Sequence, residues 1–413
     1  MSTLRYPGIK GGSKMREVAI VGIGHTVFGN LSDFDLVDVM GFASCNALHD
    51  AGILKDRKLI EQVFVANVGG GIINRQTGIA SSLVSRIDLE PAMAEVVENG
   101  PASGSSAIKA GFTAIASGMV DVVMVTGGEL MRTITGWKGT DFVAMLSHPE
   151  AEYNYGLTLP AFAGMFTRLY MEKYGLTERD LALVAVKDHE NGSRNPFAHV
   201  EIPCTIEAIN DGENASVVNP YVAEPIRLYG TCPVSDGAAT VIMCAMDSPK
   251  MKQFSKKEPV MISGIGAATD THCVHNRKDP LELTAVRLSA ARAYEMAGLR
   301  PEDISFAELH DAFVILELAI SEEVGFFERG KSKEAVKEGV TKIDGRLPLN
   351  TSGGLKSKGH PLGATGVSQV FELVKQLRGE AEEGRQVKDP KHGMAVNFGG
   401  FGNNVVTTIC SKK

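Results

Sequence analysis

Short apolar runs of strand length alternate along this chain with Ala/Gly-rich stretches of helical length. Runs at 18–22, 62–68, 94–98, 120–126 and 239–245 are mostly apolar throughout rather than alternating, the pattern of strands buried on both faces. Between them, 37–51 and 105–117 read as helices. This order predicts an α/β protein built from layers of helices and sheets.

The pattern then restarts. Arg16-Glu-Val-Ala-Ile-Val-Gly-Ile-Gly24 and Lys257-Glu-Pro-Val-Met-Ile-Ser-Gly-Ile-Gly266 share a polar start, an apolar strand and Gly-Ile-Gly. Further strands are expected at 304–309 and 394–398, and a helix at 361–379. Two strand–helix series of similar kind argue for internal duplication. The expected division is a tail at 1–14, a first half at 15–255 and a second half at 256–413. Residues 131–230 break the pattern: they hold the only tryptophan, Trp137, many turn residues and a helix near 160–174. They read as an inserted loop domain, either a ligand-binding wall or structural decoration.

Composition narrows the class. The 413 residues carry 49 acidic and 42 basic side chains, a net charge of −7. With no dense Lys/Arg run, neither nucleic acid nor a membrane surface is an expected partner. At 44% apolar and 22% charged residues, global disorder is excluded. No apolar run has bilayer-spanning length, and 1–14 lacks the apolar core of a signal peptide. Six well-separated cysteines without a C-x-x-C pair argue against a disulfide scaffold or zinc ribbon and suit a reducing cytoplasm.

Four stretches carry candidate chemistry. In Val97-Glu-Asn-Gly-Pro-Ala-Ser-Gly-Ser-Ser-Ala107 a strand runs through a tight turn into a helix expected to start near Pro101, leaving N–H groups free for an anionic group. Glu308-Leu-His-Asp-Ala-Phe313 delivers His310 and Asp311 to a strand's C-terminal end, where open α/β sheets bind ligands. A histidine there can polarise an oxyanion or exchange protons near neutral pH. The stretch 350–366 has five glycines in seventeen residues around Gly359-His360-Pro361. Glycine destabilises wherever its freedom is not needed, so this is the strongest signal in the chain. Asn397-Phe-Gly-Gly-Phe-Gly-Asn-Asn404 can offer backbone donors to an oxyanion, or form a plain hairpin turn. Weaker candidates are read as structural. His272-Cys273-Val274-His275 lacks a fourth ligand, so no metal is expected. Cys232 is expected to be a buried thiol, and His189 and His199 surface residues of the insert.

Together these stretches resemble the thiolase superfamily over nearly the full length, in the branch of archaeal thiolases and the sterol-carrier-protein thiolase. Ser-Gly-Gly with Gly-His-Pro is specific to the superfamily, and His-Asp-Ala-Phe resembles the branch motif. The resemblance implies a five-layered αβαβα fold from two similar halves, a loop domain over coenzyme A, and homodimers. In such enzymes a Cys-x-Ser-Gly turn supplies the nucleophile. This chain reads Pro101-Ala102-Ser103-Gly104, so proline stands in the nucleophile's place. The second cysteine, the usual acid/base, belongs to a His-Asp-Cys-Phe or Cys-x-Gly motif, and Ala312 and Asn397 stand there.

The resemblance therefore implies His310 and His360 as catalytic residues, backbone N–H groups of Ala102 and Gly400 as oxyanion donors, and Ser352 and Asn397 as substrate-binding residues. Coenzyme A is the expected substrate or product, with no metal cofactor. Three roles are compatible: C–C cleavage or formation beside a CoA thioester without a cysteine intermediate, on a bulky or aryl-substituted 3-oxoacyl-CoA; retro-aldol cleavage of a 3-hydroxyacyl-CoA; or a non-catalytic CoA-binding scaffold. Relatives of this branch also imply a small partner combining a zinc ribbon and an OB fold. Arg132, Lys138 and Arg168 are candidates for CoA phosphates, against plain surface charge.

Overall fold

The computed structural model describes residues 15–134 and 136–413; the expected tail at 1–14 lies outside them. The first half runs β1 (Val18–His25), α1 (Leu36–Asp50), β2 (Gln62–Ala66), α2 (Ile79–Arg86), β3 (Met93–Val97), α3 (Ser103–Ala116) and β4 (Val122–Glu129). The insert follows as α4 (Gly136–Ala144), α5 (Leu159–Tyr174), α6 (Glu178–Gly192), α7 (Ala215–Val218), β5 (Tyr221–Ala223) and β6 (Ile226–Arg227), and β7 (Gly237–Ala245) closes the half. The second half is β8 (Val260–Thr269), α8 (Thr284–Ala297), β9 (Phe306–Glu308), α9 (Val314–Glu323), α10 (Ser332–Lys337), α11 (Gly354–Ser357), α12 (Thr365–Arg378), β10 (His392–Gly399) and β11 (Asn404–Ser411).

Strand pairing repeats between the halves. In the first, β2 lies parallel to β3 and β4, and β7 runs antiparallel to both β4 and β1. In the second, β9 is parallel to β10, and β11 is antiparallel to both β10 and β8. Leu349, bridged in parallel to Ala307, takes the place of β3. The two sets join through Ala19–Met261 and Ile20–Val260. The repeated Gly-Ile-Gly has a packing cause. A Cβ on Gly24 would lie 2.1 Å from the Ala43 carbonyl of α1, and one on Gly266 would lie 2.0 Å from the Ser289 carbonyl of α8. Only glycine lets each outer helix approach its strand this closely.

The central helices α3 and α12 pack between the half-sheets, with α1 and α8 on the outer faces. This is the expected five-layered αβαβα arrangement. β1, β2, β4 and β7 are buried along their whole length, as their unbroken apolar runs predict. β3 departs from that expectation: it is an edge strand with Met93 and Val96 about half exposed. The helix expected from Pro101 begins at Ser103.

The insert shares a core with the second half. Leu159, Phe162, Phe166 and Tyr170 of α5 join Leu283, Ile315, Leu316, Phe398 and Phe401 in one apolar cluster, and Phe162 stacks on Phe401 at 5.7 Å. Its roof thereby rests on the β10–β11 turn. His189 is not at the surface: it is 4% exposed, donates from Nδ1 to the Ile202 carbonyl over 3.1 Å, and packs on Tyr229. His199 is half-buried against Ser235.

Candidate active site

Four loops bring the candidate residues together. Beyond β9, Leu309 donates its N–H to Asn350 Oδ1 at 2.7 Å, and Asp311 Oδ1 accepts the Leu355 N–H at 2.7 Å. Asp311 also pairs with Lys356, which is itself paired with Asp188 at 2.5 Å; none of these three side chains is exposed. Gly354 (φ +61°) is required here, because a Cβ would meet Asp311 Oδ2 at 2.2 Å. His310 is anchored by these contacts of its two neighbours.

His360 follows α11. Its Nδ1 lies 2.6 Å from Thr365 Oγ1, and that hydroxyl donates to the Pro361 carbonyl at 3.0 Å. A hydroxyl has one proton, so Thr365 accepts from Nδ1–H and leaves the His360 Nε2 lone pair free. The same loop is held from the first half by Glu129, whose Oε2 accepts the Gly363 N–H at 3.1 Å.

The His310 and His360 rings meet edge to face with centroids 4.8 Å apart. Both line one open pocket together with Pro101, Ala312, Cys232 and Gly400. Its remaining wall is largely apolar and includes Leu316, Phe313, Phe398 and Phe401. Burial holds His310 down to about 3. Burial, the His310 ring and the charge of Lys358 hold His360 well below its ordinary value. Both imidazoles are therefore neutral at neutral pH. Cys232, expected to be a buried structural thiol, stands half-buried on the pocket wall, and burial with Asp311 nearby pushes it up to about 12.

Pro101 and Gly400 face this pocket, and the Gly400 N–H (φ +58°) has no partner among the described residues. Three expected site residues do not fit their assigned roles. The Ala102 N–H donates to Asn99 O at 3.2 Å, closing the turn before α3. Ser352 directs both its hydroxyl (2.5 Å) and its N–H (3.0 Å) at Glu308. Asn397, with no exposed surface, bonds Ser105 N at 3.2 Å, Pro101 O at 3.0 Å and His310 Nδ1 at 3.4 Å. Neither Ser352 nor Asn397 lines the pocket. Neither Ser103 nor Ser105 lines the pocket. Ser103 Oγ accepts from Asn99 N and donates to Gly100 O, while Ser105 faces the α3–α12 crossing.

Thr365 and Glu129 hold the His360 loop, and sequence reasoning missed both. Thr365 lies inside the glycine-rich motif, which is a signal in itself; Glu129 is 234 residues from Gly363 and carries no local signal. Of the basic candidates, Arg132 and Lys138 adjoin the pocket-lining Met131 and Gly139, whereas Arg168 is paired with Glu224 at 2.7 Å. The run His272–His275 gains a neighbour in Glu152: ligand atoms of Glu152, Cys273 and His275 lie within 4.8 Å of one another. Yet the buried Glu152 carboxylate is already held by the N–H groups of His148 and Val274, at 2.9 and 2.6 Å.

Two family profiles match nearly the whole described chain: "Thiolase, N-terminal domain" over residues 18–247 and "Thiolase C-terminal domain-like" over 266–412. The chain belongs to the thiolase superfamily. Among thiolase relatives, the acetyl-CoA acetyltransferase of Methanothermobacter thermautotrophicus is 38% identical over 398 residues, covering 96% of this chain and all of that protein. The benzoylsuccinyl-CoA thiolase subunit BbsB of Thauera aromatica is 30% identical, over 93% and 95% of the two chains. The thiolase fold is also that of the Ltp2–ChsH2(DUF35) aldolase, at TM-score 0.80 and 24% identity over 96% of this chain and 98% of that one. Proteins with this fold thus include one named an acetyltransferase and one named an aldolase. This chain is a thiolase-family protein of acyl-CoA chemistry.

Proposed function

We propose that the protein makes or breaks the C–C bond between C2 and C3 of a 3-oxoacyl-CoA, with free CoA and no cysteine-bound intermediate. The observation carrying this reading is the pair of neutral imidazoles, His310 and His360, facing Pro101 across one pocket. Proline has no nucleophilic atom, so an acyl-enzyme at this position is chemically excluded. In the cleavage direction His360 Nε2 takes the proton of the CoA thiol, and the sulfur adds to C3. The C2–C3 bond then breaks, its electron pair passes to the thioester as an enolate, and His360 returns the proton to C2. His310 and the Gly400 N–H stabilise the enolate oxygen. The products are two acyl-CoA molecules.

The apolar wall with Phe313, Phe398 and Phe401 supports a bulky or aryl-substituted acyl group. The kinship with the benzoylsuccinyl-CoA thiolase subunit supports the same class. Arg132 and Lys138, next in sequence to the pocket-lining Met131 and Gly139, are the basic residues proposed to meet CoA phosphates. A homodimer is supported by the exposed edge of β3. A small zinc-ribbon/OB-fold partner is supported by the DUF35 component of the Ltp2–ChsH2 aldolase. No helix among the described residues is long and apolar enough to cross a membrane.

Retro-aldol cleavage of a 3-hydroxyacyl-CoA is the second reading, favoured by Pro101 itself, because that reaction needs a base but no nucleophile. Incubation with an aryl-3-oxoacyl-CoA plus CoA, and separately with a 3-hydroxyacyl-CoA, followed by mass spectrometry, distinguishes them. Two shorter thioesters and an unmodified protein mass are expected. Aldehyde or ketone release only from the hydroxy substrate selects the aldolase, and silence with both leaves the scaffold role.

A further inference from the structure

Asn397 stands where the resemblance places an acid/base cysteine, yet an amide can neither give up nor accept a proton in this pH range. Its hydrogen bonds indicate a different task. The side chain lies at the end of β10 without exposed surface. Oxygen and nitrogen of an amide are ordinarily interchangeable by eye, but the partners here are unambiguous. The Ser105 N–H can only donate, and the Pro101 carbonyl can only accept. Oδ1 therefore faces Ser105 (3.2 Å) and Nδ2 faces Pro101 O (3.0 Å). Turning the amide over would set N–H against N–H and oxygen against oxygen. The first turn of α3 also needs this partner, since its N–H groups lack intrahelical acceptors.

With that orientation fixed, the second Nδ2 hydrogen is directed at His310 Nδ1, 3.4 Å away. A donor opposite a ring nitrogen selects the tautomer with its lone pair there. We propose that Asn397 is a positioning residue that holds His310 in the Nε2–H tautomer, so that His310 serves as hydrogen-bond donor to the thioester oxygen. Thr365 imposes the opposite tautomer on His360. The two imidazoles are thus divided into one donor and one base before substrate arrives. Gly366 belongs to this device, because a Cβ there would lie 2.3 Å from both Asn397 Oδ1 and Ser105 N.

The inference rests on the reaction proposed above for its consequence, but the tautomer can be read without any substrate. In selectively ¹⁵N-histidine-labelled protein, with His310 assigned by loss of its signals in His310→Gln, solid-state NMR should find Nε2 protonated and Nδ1 bare. Asn397→Asp replaces the donor by an acceptor and should move the proton to Nδ1. Turnover should fall by about a hundredfold, the scale for losing one oxyanion donor, while CoA affinity stays within about twofold by calorimetry. Wild-type His310 protonated at Nδ1 overturns the proposal, whether or not the variant folds. So does an Asn397→Asp protein that keeps both tautomer and turnover. An Nε2–H ring in a protein that turns over no acyl-CoA upholds the tautomer assignment and sinks the proposed reaction instead.

Discussion

The Glu129 carboxylate accepts the N–H of Gly363 at 3.1 Å, tying the end of β4 in the first half to the loop that carries His360 in the second. Its oxygens also accept from Asn67 Nδ2 (2.8 Å), Gly69 N (2.7 Å) and Val68 N (3.1 Å). Burial pushes this acid up to about 7 despite those four donors. Glu129→Gln keeps the shape but turns two of its hydrogens toward groups that are themselves donors. Stability should drop by about 2–4 kcal/mol, from buried donors left without acceptors. Urea unfolding measures this; an unchanged midpoint would mean water replaces the carboxylate.

His360→Ala should lose at least about a hundredfold in kcat if its Nε2 moves the CoA proton. Thr365→Val, which keeps the imidazole but removes the Nδ1 partner at 2.6 Å, should lose activity less severely and leave CoA binding unaffected. Steady-state kinetics on both variants test the assignment, and an undiminished His360→Ala rate removes His360 from the mechanism.

Acid should destabilise the fold through its buried histidines. His25, 3% exposed, bonded to Ser368 and packed among Phe28, Phe197 and Phe371, is held down to about 3 by burial. The unfolded chain binds a proton at this residue below about 6.5 and the folded chain does not, so stability is lost as pH falls from there toward about 3. Glu129 acts in the opposite sense, because its folded form binds the proton more readily. The His25 contribution is isolated by comparing wild type with His25→Gln. The stability gap between them should narrow by roughly 1.4 kcal/mol per pH unit between pH 6 and 4, measured by urea unfolding; a pH-independent gap refutes it.

The crossing of α3 and α12 should not tolerate a methyl group. A Cβ on Gly104 would lie 2.8 Å from the backbone nitrogens of Gly366 and Val367, and backbone cannot yield as a side chain can. Gly104→Ala should cost about 1–3 kcal/mol by overpacking. Gly139→Ala, in α4 with nothing within 4 Å of the added atom, serves as the control and should be neutral or slightly stabilising. Equal unfolding midpoints for the two would show that the central helices can separate.

Much of the architecture was legible in the residues because its causes are local. Unbroken apolar runs marked β1, β2, β4 and β7, and the repeated Gly-Ile-Gly marked the restart of the same strand pattern in the second half. The glycine density of 350–366 answers to backbone crowding such as Gly354 against Asp311. The neighbouring imidazoles of His310 and His360 were expected from motif alone.

Tertiary structure decided what those groups are able to do. Whether Ala102 has a free N–H, which way the Asn397 amide faces and which nitrogen of each imidazole holds the proton depend on donors and acceptors far apart in the chain. The exposure of β3 follows from its edge place in the sheet, and the burial of His189 from its fit beneath Tyr229. Periodicity and glycine content report short-range geometry; hydrogen-bond direction and desolvation depend on every group the fold packs around a side chain, and those partners exist only once the chain has closed on itself.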